Sequence, residues 1–435
     1  MKIVLVNHTF QIPRFYKRWQ MLAAQHPDLD VTLITLKSYE WDIKGSMIFG
    51  SDMIIEGKDI EEGNFRIISV SCETHKYRSW TSKEMVEVIK KIKPDIVYHI
   101  GTHKQDSALQ CIHAVRKYLG PKSKAIIFSM RGPAMNISYP VRRKTESVFY
   151  WWLRIFNYWQ LKKKLRYLNN NADAVICHYP DAVRCFREEG FTKQIYMSTQ
   201  VGVDPDIYHP DEAARKKVRE KYNLGDAFVF GTACRFIPDK GLQEIIKALP
   251  SDGNWKCLLM GKGSEDYTNA LKRLIHDRGL DGKIILTGYV DWKEIADYWN
   301  AIDCAVHVPR TTDIWQETFS LAVIQAMASG KPVIGNDSGS VPYQMGPSGI
   351  LVHEGDIQAL HDKMEWVIAH PDKAKNIGDK MYDYAVNSFS IQHLNDQFYD
   401  IINDVYNGTY DKNLIDMVTY HPISVSYTHL TLPTN

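Results

Sequence analysis

The sequence predicts an α/β fold made of two domains, each with a parallel β-sheet covered by helices. Short apolar runs alternate with longer helical segments along most of the chain, as expected for parallel strands joined by crossover helices. This series of strands and helices starts again after Gly202, and two such series indicate two doubly wound, Rossmann-like domains. A length of 435 residues with 44% hydrophobic and 24% charged composition suits two globular domains.

The strand candidates are short apolar runs separated by helical segments. In the first half they lie at residues 2–6, 30–35, 95–99, 124–129 and 174–177. In the second half they lie at residues 228–233, 256–260, 283–286, 304–308 and 332–334. Because ligands of such sheets bind outside the carboxyl ends of the strands, two facing domains would hold their ligand in the cleft between them.

Turn-forming residues set the predicted domain boundaries. Gly202, Pro205 and Pro210 interrupt the chain between residues 199 and 210. We therefore expect an N-terminal domain in residues 1–200 and a second domain in residues 201–385. The last ten residues, 426–435 (SYTHLTLPTN), continue no helix or strand and are interpreted as a non-native tail.

Composition excludes several classes of protein. The 53 basic and 51 acidic residues leave a formal net charge of +2, too small for a nucleic-acid-binding surface. Seven cysteines are spread singly without a CxxC pair, which favours a reducing compartment over a disulfide framework. The apolar run in MKIVLVNHTF is too short for a signal peptide, and no run of about 18 apolar residues follows. We expect a cytoplasmic protein, or one bound peripherally at the inner membrane face.

One long helical candidate, residues 139–171, departs from the regular pattern. Seven aromatic residues between positions 149 and 159 are flanked by basic residues on both sides, namely Arg142, Arg143 and Lys144 before them and Lys162, Lys163 and Lys164 after them. Aromatic residues flanked by cations are typical of a membrane interface, so peripheral membrane contact through residues 142–166 is one hypothesis. The alternative is a core helix with a solvated basic end, because the aromatic residues cover more than one face.

The clearest functional signal lies in residues 315–334, WQETFSLAVIQAMASGKPVI. This run predicts a loop, a helix from about Ser320 to Ser329 ended by Gly330, and then a strand. The free amides of the helix's first turn and its positive dipole end form an anion site. Glu317, just before the helix, is poorly suited to phosphate but can accept hydrogen bonds from sugar hydroxyls. A lone glutamate there would more simply interact with the helix dipole.

A second motif supplies two cations that could bind an anionic ligand. In residues 231–241, a strand leads into a loop that carries Arg235 and Lys240, and a helix begins near Leu242. Two cations at the carboxyl end of a strand suit a diphosphate, since both can neutralise its charge. Taken alone, either cation would be expected in solvent. Together with Glu317, they predict a sugar-diphosphate site.

These motifs resemble those of the family 4 glycosyltransferases (glycosyltransferase group 1 type), retaining enzymes with the GT-B fold of two facing Rossmann-like domains. The similar segments in the second half include Arg235 with Lys240–Gly241, MGKG at 260–263, LTGYV at 286–290, AID at 301–303, Glu317-x-Phe319, AMAxGxPVI at 326–334 and GILV at 349–352. KPDIV at 93–97 and ADAV at 172–175 are similar in the first half. The resemblance implies a C-terminal helix, residues 386–410, that returns to the N-terminal domain.

The resemblance also implies roles for individual residues. Arg235 and Lys240 would hold the donor diphosphate, assisted by amides near Phe319, Ser320 and Leu321, and Glu317 would contact the transferred sugar. Gly261, Tyr289 and Val290 would complete the donor site, the last two near the base. The acceptor hydroxyl would attack from the face that the leaving group departs, and the diphosphate would take the proton. This chemistry needs no cofactor, metal or protein nucleophile, and it predicts transfer from a UDP- or GDP-sugar to a saccharide or lipid-linked acceptor, as in polysaccharide biosynthesis.

The chain departs from the family pattern at three places. Gln325 stands where the family has a second glutamate that touches the ribose, and an amide bonds a hydroxyl without the strength that charge adds. The loop after the first strand lacks the usual glycines, so Asn7 and His8 are assigned to the acceptor side. The third departure is the segment GTHK at 101–104, which does not align with the family's usual acceptor-side residues. His103 in this segment is a further acceptor-side candidate, although a single loop histidine is more often simply exposed.

Other functions remain as alternatives. The related architectures of sugar-nucleotide epimerases and phosphorylases lack support, because the expected catalytic carboxylates or cofactor lysine are missing. An NAD enzyme is disfavoured because no GxGxxG follows the first strand. A non-catalytic protein that retains the sugar-nucleotide pocket is the alternative that Gln325 keeps open. Two DxD pairs, at 28–30 and 204–206, lie at a strand start and in a linker, so neither is expected to bind metal.

Overall fold

The computed structural model describes residues 1–39, 55–75, 79–101, 105–129, 147–313 and 315–410. The chain divides into two compact units. Unit 1 contains Met1–Thr199 and the described chain from Asn395 onward, and unit 2 contains Gln200–Leu394. His103, residues 142–146 of the basic and aromatic segment and the tail at 426–435 lie outside the described residues.

Unit 1 is built on an eight-stranded sheet. Its strands and those of two short ribbons are β1 Lys2–Val6, β2 Asp30–Leu36, β3 Ser38–Tyr39, β4 Ile55–Glu56, β5 Ile60–Glu62, β6 Phe65–Val70, β7 Glu73–His75, β8 Ser79–Thr81, β9 Ile96–Ile100, β10 Lys124–Ser129, β11 Ala174–Cys177 and β12 Gln194–Met197. The sheet order is β12-β11-β10-β9-β1-β2-β6-β5, parallel except for the antiparallel edge strand β5. The ribbons pair β3 with β4 and β7 with β8.

The helices of unit 1 cross between these strands. They are α1 Pro13–Gln25, α2 Lys83–Ile92, α3 Asp106–Tyr118, α4 Val148–Asn171 and α5 Pro180–Glu188. The strand order reverses between β1 and β9, which are neighbours although β2 follows β1 in the chain. In a doubly wound sheet the ligand crevice lies at such a reversal, here beside Asn7 and His8 after β1.

Unit 2 has a six-stranded, fully parallel sheet. Its strands are β13 Phe228–Ala233, β14 Trp255–Met260, β15 Ile284–Gly288, β16 Cys304–His307, β17 Val333–Asn336 and β18 Ile350–Val352. Its helices are α6 Glu212–Lys221, α7 Leu242–Ala248, α8 Glu265–Asp277, α9 Ile295–Ala301, α10 Leu321–Ala328, α11 Val341–Met345, α12 Ile357–Ala369 and α13 Pro371–Phe389. Apolar side chains at alternate positions of the strands belong to two separate core clusters.

The strand order of unit 2 is β15-β14-β13-β16-β17-β18. Counted from β13, this is the order 3-2-1-4-5-6 of the dinucleotide-binding fold. Its reversal point lies between β13 and β16, which pair through Phe230 with Cys304 and Gly231 with Ala305. The two parallel sheets confirm the predicted fold class of two Rossmann-like domains.

The last helix, α14 Ile391–Asn407, contributes Phe398, Ile401, Ile402 and Val405 to the core of unit 1. The Phe398 ring meets the Trp19 ring edge-on, with 5.1 Å between the ring centroids. In the part of the chain described above, no helix is both long and apolar enough to cross a bilayer.

Candidate functional site

The loops after β13 and β16 touch each other at the reversal point of the unit 2 sheet. Gly241 ends the first loop with a φ of 68°, in the left-handed region that favours glycine. A Cβ on Gly241 would lie 1.9 Å from the carbonyl oxygen of Val308, which follows β16. The Arg310 N–H also donates to the Asp239 carbonyl at 2.8 Å. Because the two backbones are in contact, side chains from both loops reach a common point.

Lys240 and Glu317 meet at that point. The Lys240 Nζ donates to the Glu317 Oε2 at 2.5 Å, and the two side chains are only 13% and 6% exposed. The same ammonium lies 4.6 Å from the centre of the Trp315 ring, a favourable cation–π distance. The Glu317 backbone is fixed as well, because its carbonyl accepts the Ser340 N–H at 2.9 Å. The structure therefore brings together two of the residues that the sequence assigned to one site.

The charge state of Glu317 follows from its neighbours. Burial opposes ionisation, but Lys240 and His307 outweigh it and lower the pKa of Glu317 to about 2. The His307 Nε2 lies 3.4 Å from the Glu317 Oε2, close enough for the ring to favour the carboxylate, although the contact falls short of strict hydrogen-bond geometry. Burial lowers the pKa of His307, although Glu317 favours its charged form. Near neutral pH the Glu317 side chain is thus a carboxylate and the His307 side chain a neutral imidazole.

His307 was not among the residues that the sequence analysis selected. It is the last residue of β16, and only 5% of its surface is exposed. A histidine within a short apolar strand is usually a core residue, so the residue type alone did not indicate a functional role. Its position at the carboxyl end of a strand next to the reversal point is the feature that identifies it.

Arg235 lies in the loop directly after β13 and is partly buried. In the described parts of the chain, no hydrogen bond or ion pair engages its guanidinium. The thiol of Cys234, whose pKa burial raises to about 12, also experiences the charges of Lys240, Glu317 and Arg235. All three predicted residues therefore lie within electrostatic range of the Cys234 sulfur. Of the three, Arg235 is the one whose charge has no ion-pair partner within the described residues.

The N-terminus of α10 only partly matches the prediction. Leu321 begins the helix and is 38% exposed, and the Ser320 side chain does not cap its first turn. The Ser320 N–H, however, donates to the Gln344 Oε1 at 2.7 Å, so this predicted anion-binding amide is already engaged. Phe319 is partly buried and meets the Phe389 ring at 5.7 Å. The amides of the helix itself are the available donors at this end.

Gln325 bridges two aromatic residues inside unit 2. The Trp299 Nε1–H donates to the Gln325 Oε1 at 3.3 Å, and the Gln325 Nε2 donates to the Tyr208 hydroxyl at 2.9 Å. Tyr208 and Trp299 are both buried. Each end of the amide therefore has a structural partner, which the sequence alone did not indicate.

The remaining predicted donor-site residues lie at the ends of β14 and β15. Gly261 follows β14, and a Cβ there would lie 1.9 Å from the Cys234 carbonyl oxygen, so the glycine lets two loops pack together. Its N–H donates to the Gly288 carbonyl at 2.9 Å. Tyr289 is 55% exposed, whereas Val290 packs against the core. Tyr289 thus presents an exposed aromatic ring at the same edge of the sheet, with the Lys262 ammonium 5.8 Å from the ring centre.

The acceptor-side candidates lie in unit 1, after β1. The Asn7 Oδ1 accepts from the Thr9 N–H at 2.8 Å and lies 2.9 Å from the Thr9 hydroxyl, so it holds its own turn. His8 is partly buried, and its charge contributes to lowering the pKa of His99. Across the described residues, no group of three or more His, Cys, Asp or Glu side chains is arranged to hold a metal ion.

Comparison with known proteins identifies the family of unit 2. Residues 214–384 match the family described as glycosyl transferases group 1. The chain is similar to the GDP-mannose-dependent alpha-(1-6)-phosphatidylinositol monomannoside mannosyltransferase of Mycobacterium tuberculosis, with 30% identity over 186 residues. That alignment covers 41% of this chain and 48% of the relative. The chain thus spans about half the length of the curated relatives it matches.

Solved structures resemble the whole fold at low sequence identity. Sucrose-phosphate synthase from Thermosynechococcus elongatus is similar with a TM-score of 0.66 and 17% identity, covering 94% of this chain and 100% of the other. Anabaena HepE in complex with UDP is similar with a TM-score of 0.67 and 16% identity, covering 93% of this chain and 100% of the other. Residues 214–384 are therefore a group 1 glycosyltransferase domain, carried on a chain with the GT-B fold.

Proposed function

We propose that this chain transfers a sugar from a UDP- or GDP-sugar to a saccharide or lipid-linked acceptor, with retention of the anomeric configuration. The observation that carries the proposal is the buried pair of Lys240 and Glu317 at the reversal point of the unit 2 sheet. This is the position where doubly wound sheets bind nucleotides. A cation and a carboxylate side by side suit the two halves of a sugar diphosphate, the anionic diphosphate and the hydroxyl-rich sugar.

The leaving group sets the main chemical demand. When the bond between the sugar and the diphosphate breaks, negative charge builds on the diphosphate oxygens, and fixed positive groups lower the barrier. Lys240 and Arg235 would supply two such charges, and the first-turn amides of α10 would supply oriented dipoles. A metal ion would then not be required for this neutralisation, so we expect transfer to persist in the presence of EDTA.

Glu317 suits a binding role better than a nucleophilic one. Its low pKa keeps it ionised, and an ionised carboxylate accepts strong hydrogen bonds from sugar hydroxyls. The proton of the acceptor hydroxyl would pass to the departing diphosphate on the same face, so the new glycosidic bond forms where the old bond breaks. No protein atom then needs to form a covalent intermediate.

The similar proteins suggest which donor base and which sugar to test first. The relative with 30% identity is named for its dependence on GDP-mannose and for a phosphatidylinositol monomannoside acceptor. GDP-mannose is therefore the first donor to test, with UDP-sugars beside it. A lipid-linked acceptor agrees with the exposed aromatic residues of α4.

The experiment has a binding arm and a turnover arm. A thermal-shift screen with GDP, UDP and ADP should raise the melting temperature with at least one nucleotide, because a ligand of the folded state stabilises it. A panel of nucleotide sugars should then release free nucleotide with the wild type, in EDTA as well. Glu317→Ala should abolish this release, whereas Glu365→Ala, on the surface of α12, should leave it unchanged.

Two outcomes would contradict the proposal. Stabilisation by nucleotides without release from any donor would indicate a binding protein that has kept the pocket. Conversion of the donor to an epimeric nucleotide sugar, without release of nucleotide, would indicate an epimerase. Product anomers determined by NMR test retention separately.

A further inference from the structure

The outer face of α4 carries large apolar side chains in solvent. They include Phe149 at 73%, Trp152 and Phe156 at 59% each, Trp159 at 58% and Leu153 at 42%, and the neighbouring Val148 and Tyr150 are also exposed, at 50% and 61%. Phe149, Trp152, Leu153, Phe156 and Trp159, at positions i, i+3, i+4, i+7 and i+10, lie on one side of the helix and are called the aromatic face below. Soluble proteins seldom expose a contiguous apolar surface of this kind unless it binds something.

The opposite side of α4 holds the helix on unit 1. Ile155, Leu165 and Leu168 are buried there. The Lys164 Nζ pairs with the Asp106 Oδ1 at 2.5 Å, which ties α4 to the start of α3. Because Ile155, Leu165 and Leu168 lie on a different side of the helix from the aromatic face, that face does not contribute to the core of unit 1.

The basic residues of α4 differ in availability. Lys164 is engaged with Asp106, and the Lys162 ammonium lies 5.7 Å from the centre of the Tyr158 ring. Lys163 and Arg166 are exposed and follow Trp159 at helical spacing, so they extend the aromatic face by two turns. The face therefore has an apolar part followed by a cationic part.

The charge of α4 selects among possible partners. Its 24 residues include the five cations Arg154, Lys162, Lys163, Lys164 and Arg166, and no Asp or Glu. A second copy of such a helix would bring like charges together, whereas an anionic surface would complement them. Tryptophan and other aromatic side chains are favoured at the boundary between lipid headgroups and acyl chains.

We propose that the aromatic face docks onto an anionic lipid bilayer, with α4 lying in the plane of the membrane interface. Phe149, Trp152, Phe156 and Trp159 would enter the headgroup region, and Lys163 and Arg166 would contact anionic headgroups. The proposal does not rest on the proposed function, because docking and donor turnover use different residues and are measured separately. A protein docked in this way would meet lipid-linked molecules in two dimensions rather than three.

The test is cosedimentation of the full chain with vesicles. We expect binding to vesicles of equal parts phosphatidylglycerol and phosphatidylcholine, and much weaker binding to phosphatidylcholine alone. The triple variant Trp152→Ser, Phe156→Ser, Trp159→Ser should bind anionic vesicles at least about tenfold more weakly, because it loses three interfacial side chains. Lys163→Ser with Arg166→Ser should weaken binding roughly fivefold for each charge removed.

Matched controls separate the face from general surface effects. Tyr118→Ser with Tyr410→Ser removes two exposed aromatic residues elsewhere on unit 1, and Lys83→Ser with Lys91→Ser removes two exposed cations on α2. Both pairs should bind like the wild type. All variants should keep the melting temperature and nucleotide response of the wild type, since the changed side chains are exposed.

A second measurement reports insertion directly. Lipids brominated on the acyl chain should quench part of the tryptophan fluorescence of the bound wild type. Trp152→Phe with Trp159→Phe should still bind but lose most of that quenching. Equal vesicle binding by the wild type and the triple serine variant would overturn the proposal. So would self-association of the wild type that the triple variant abolishes, because a second copy would then cover the face.

Discussion

Lys240 and Glu317 lie 77 positions apart in the chain, yet the lysine donates to the glutamate at 2.5 Å. The contact exists because β13 and β16 are neighbours in the sheet, so the loops that follow them leave the same edge side by side. Gly241 completes the approach, since its missing side chain lets the first loop rest on the carbonyl of Val308. The pairing is therefore a property of the sheet order and of one glycine.

Gly241→Ala should separate these loops. A Cβ would lie 1.9 Å from the Val308 carbonyl oxygen, and the φ of 68° already disfavours any side chain. Gly282→Ala is the matched control, because its φ is 75° but nothing lies within 4 Å of its Cβ. We expect the control to cost about 1–2 kcal/mol of unfolding free energy from backbone strain alone. Gly241→Ala should cost clearly more and abolish nucleotide-induced stabilisation; equal losses in denaturant unfolding would show that the contact with Val308 does not matter.

Arg235→Ala should affect the donor but not the fold. Its guanidinium has no hydrogen-bond or ion-pair partner within the described residues, so its loss should leave the melting temperature nearly unchanged. Donor affinity should fall roughly tenfold or more, because charge-assisted bonds to phosphate contribute about 1.5–3 kcal/mol. Isothermal titration with the preferred nucleotide checks this.

Arg219→Ala provides the contrast. Arg219 donates to the carbonyls of Ala227 and Ala301 and pairs with Asp303. It therefore joins α6 to the segments that lead into β13 and β16. Its removal should lower the melting temperature and leave the intrinsic donor affinity of the folded protein unchanged. If instead Arg235→Ala unfolds the protein while Arg219→Ala weakens the donor, the two assignments are wrong.

Much of the fold was predictable because buried parallel strands are continuous apolar runs. All ten predicted strands exist, although the ends of several differ by one or two residues. β6 was missed because Arg66, which pairs with Asp30, interrupts its apolar run. β12 and β18, of four and three residues, were missed; both are edge strands, one in each sheet. Local sequence therefore predicts continuous apolar strands better than strands that are short or interrupted by a charged residue.

The placement of the candidate residues was predictable where they lie at the end of a strand or near the start of a helix. Arg235, Lys240 and Glu317 have such positions, and the loops bring the last two together. The partners of Gln325 could not be found this way, because Tyr208 lies 117 positions away and contacts it only through tertiary packing. The Ser320 amide was assigned to an anion, but the Gln344 side chain, 24 positions later, already accepts its hydrogen bond.

Gln325→Glu tests why an amide occupies this position. The Trp299 N–H can still donate to a carboxylate, and the Tyr208 hydroxyl can reverse its role and donate as well. The fold should therefore tolerate the change, and a charged acceptor should strengthen a bond to ribose, so nucleotide affinity should rise a few fold. Gln325→Leu should lower the unfolding free energy by about 1–3 kcal/mol, because two buried polar groups lose their partner. An affinity unchanged in Gln325→Glu would indicate that residue 325 does not touch the nucleotide.

The stability of unit 1 should depend on pH through His99. Burial, together with the nearby charge of His8, lowers the pKa of His99 to about 3, and its Nε2 lies 2.9 Å from the Ser107 hydroxyl. In the unfolded chain its pKa is about 6.5, so protons favour unfolding between these two values. The contribution is complete above pH 6.5 and falls by about 1.4 kcal/mol per pH unit below it.

Hydrogen exchange of the β9 and β10 amides between pH 6.5 and 5, corrected for the intrinsic exchange rate, measures this slope. Carboxylates such as Glu317, whose pKa is about 2, lose their contribution only below about pH 4.5 and so do not mask it. His99→Gln can still bond Ser107 but cannot be protonated, so it should flatten the slope for unit 1 even if it is less stable at every pH. His276→Gln, an exposed histidine of unit 2, should leave the slope unchanged. The same slope in the wild type and in His99→Gln would mean that His99 does not titrate with unfolding.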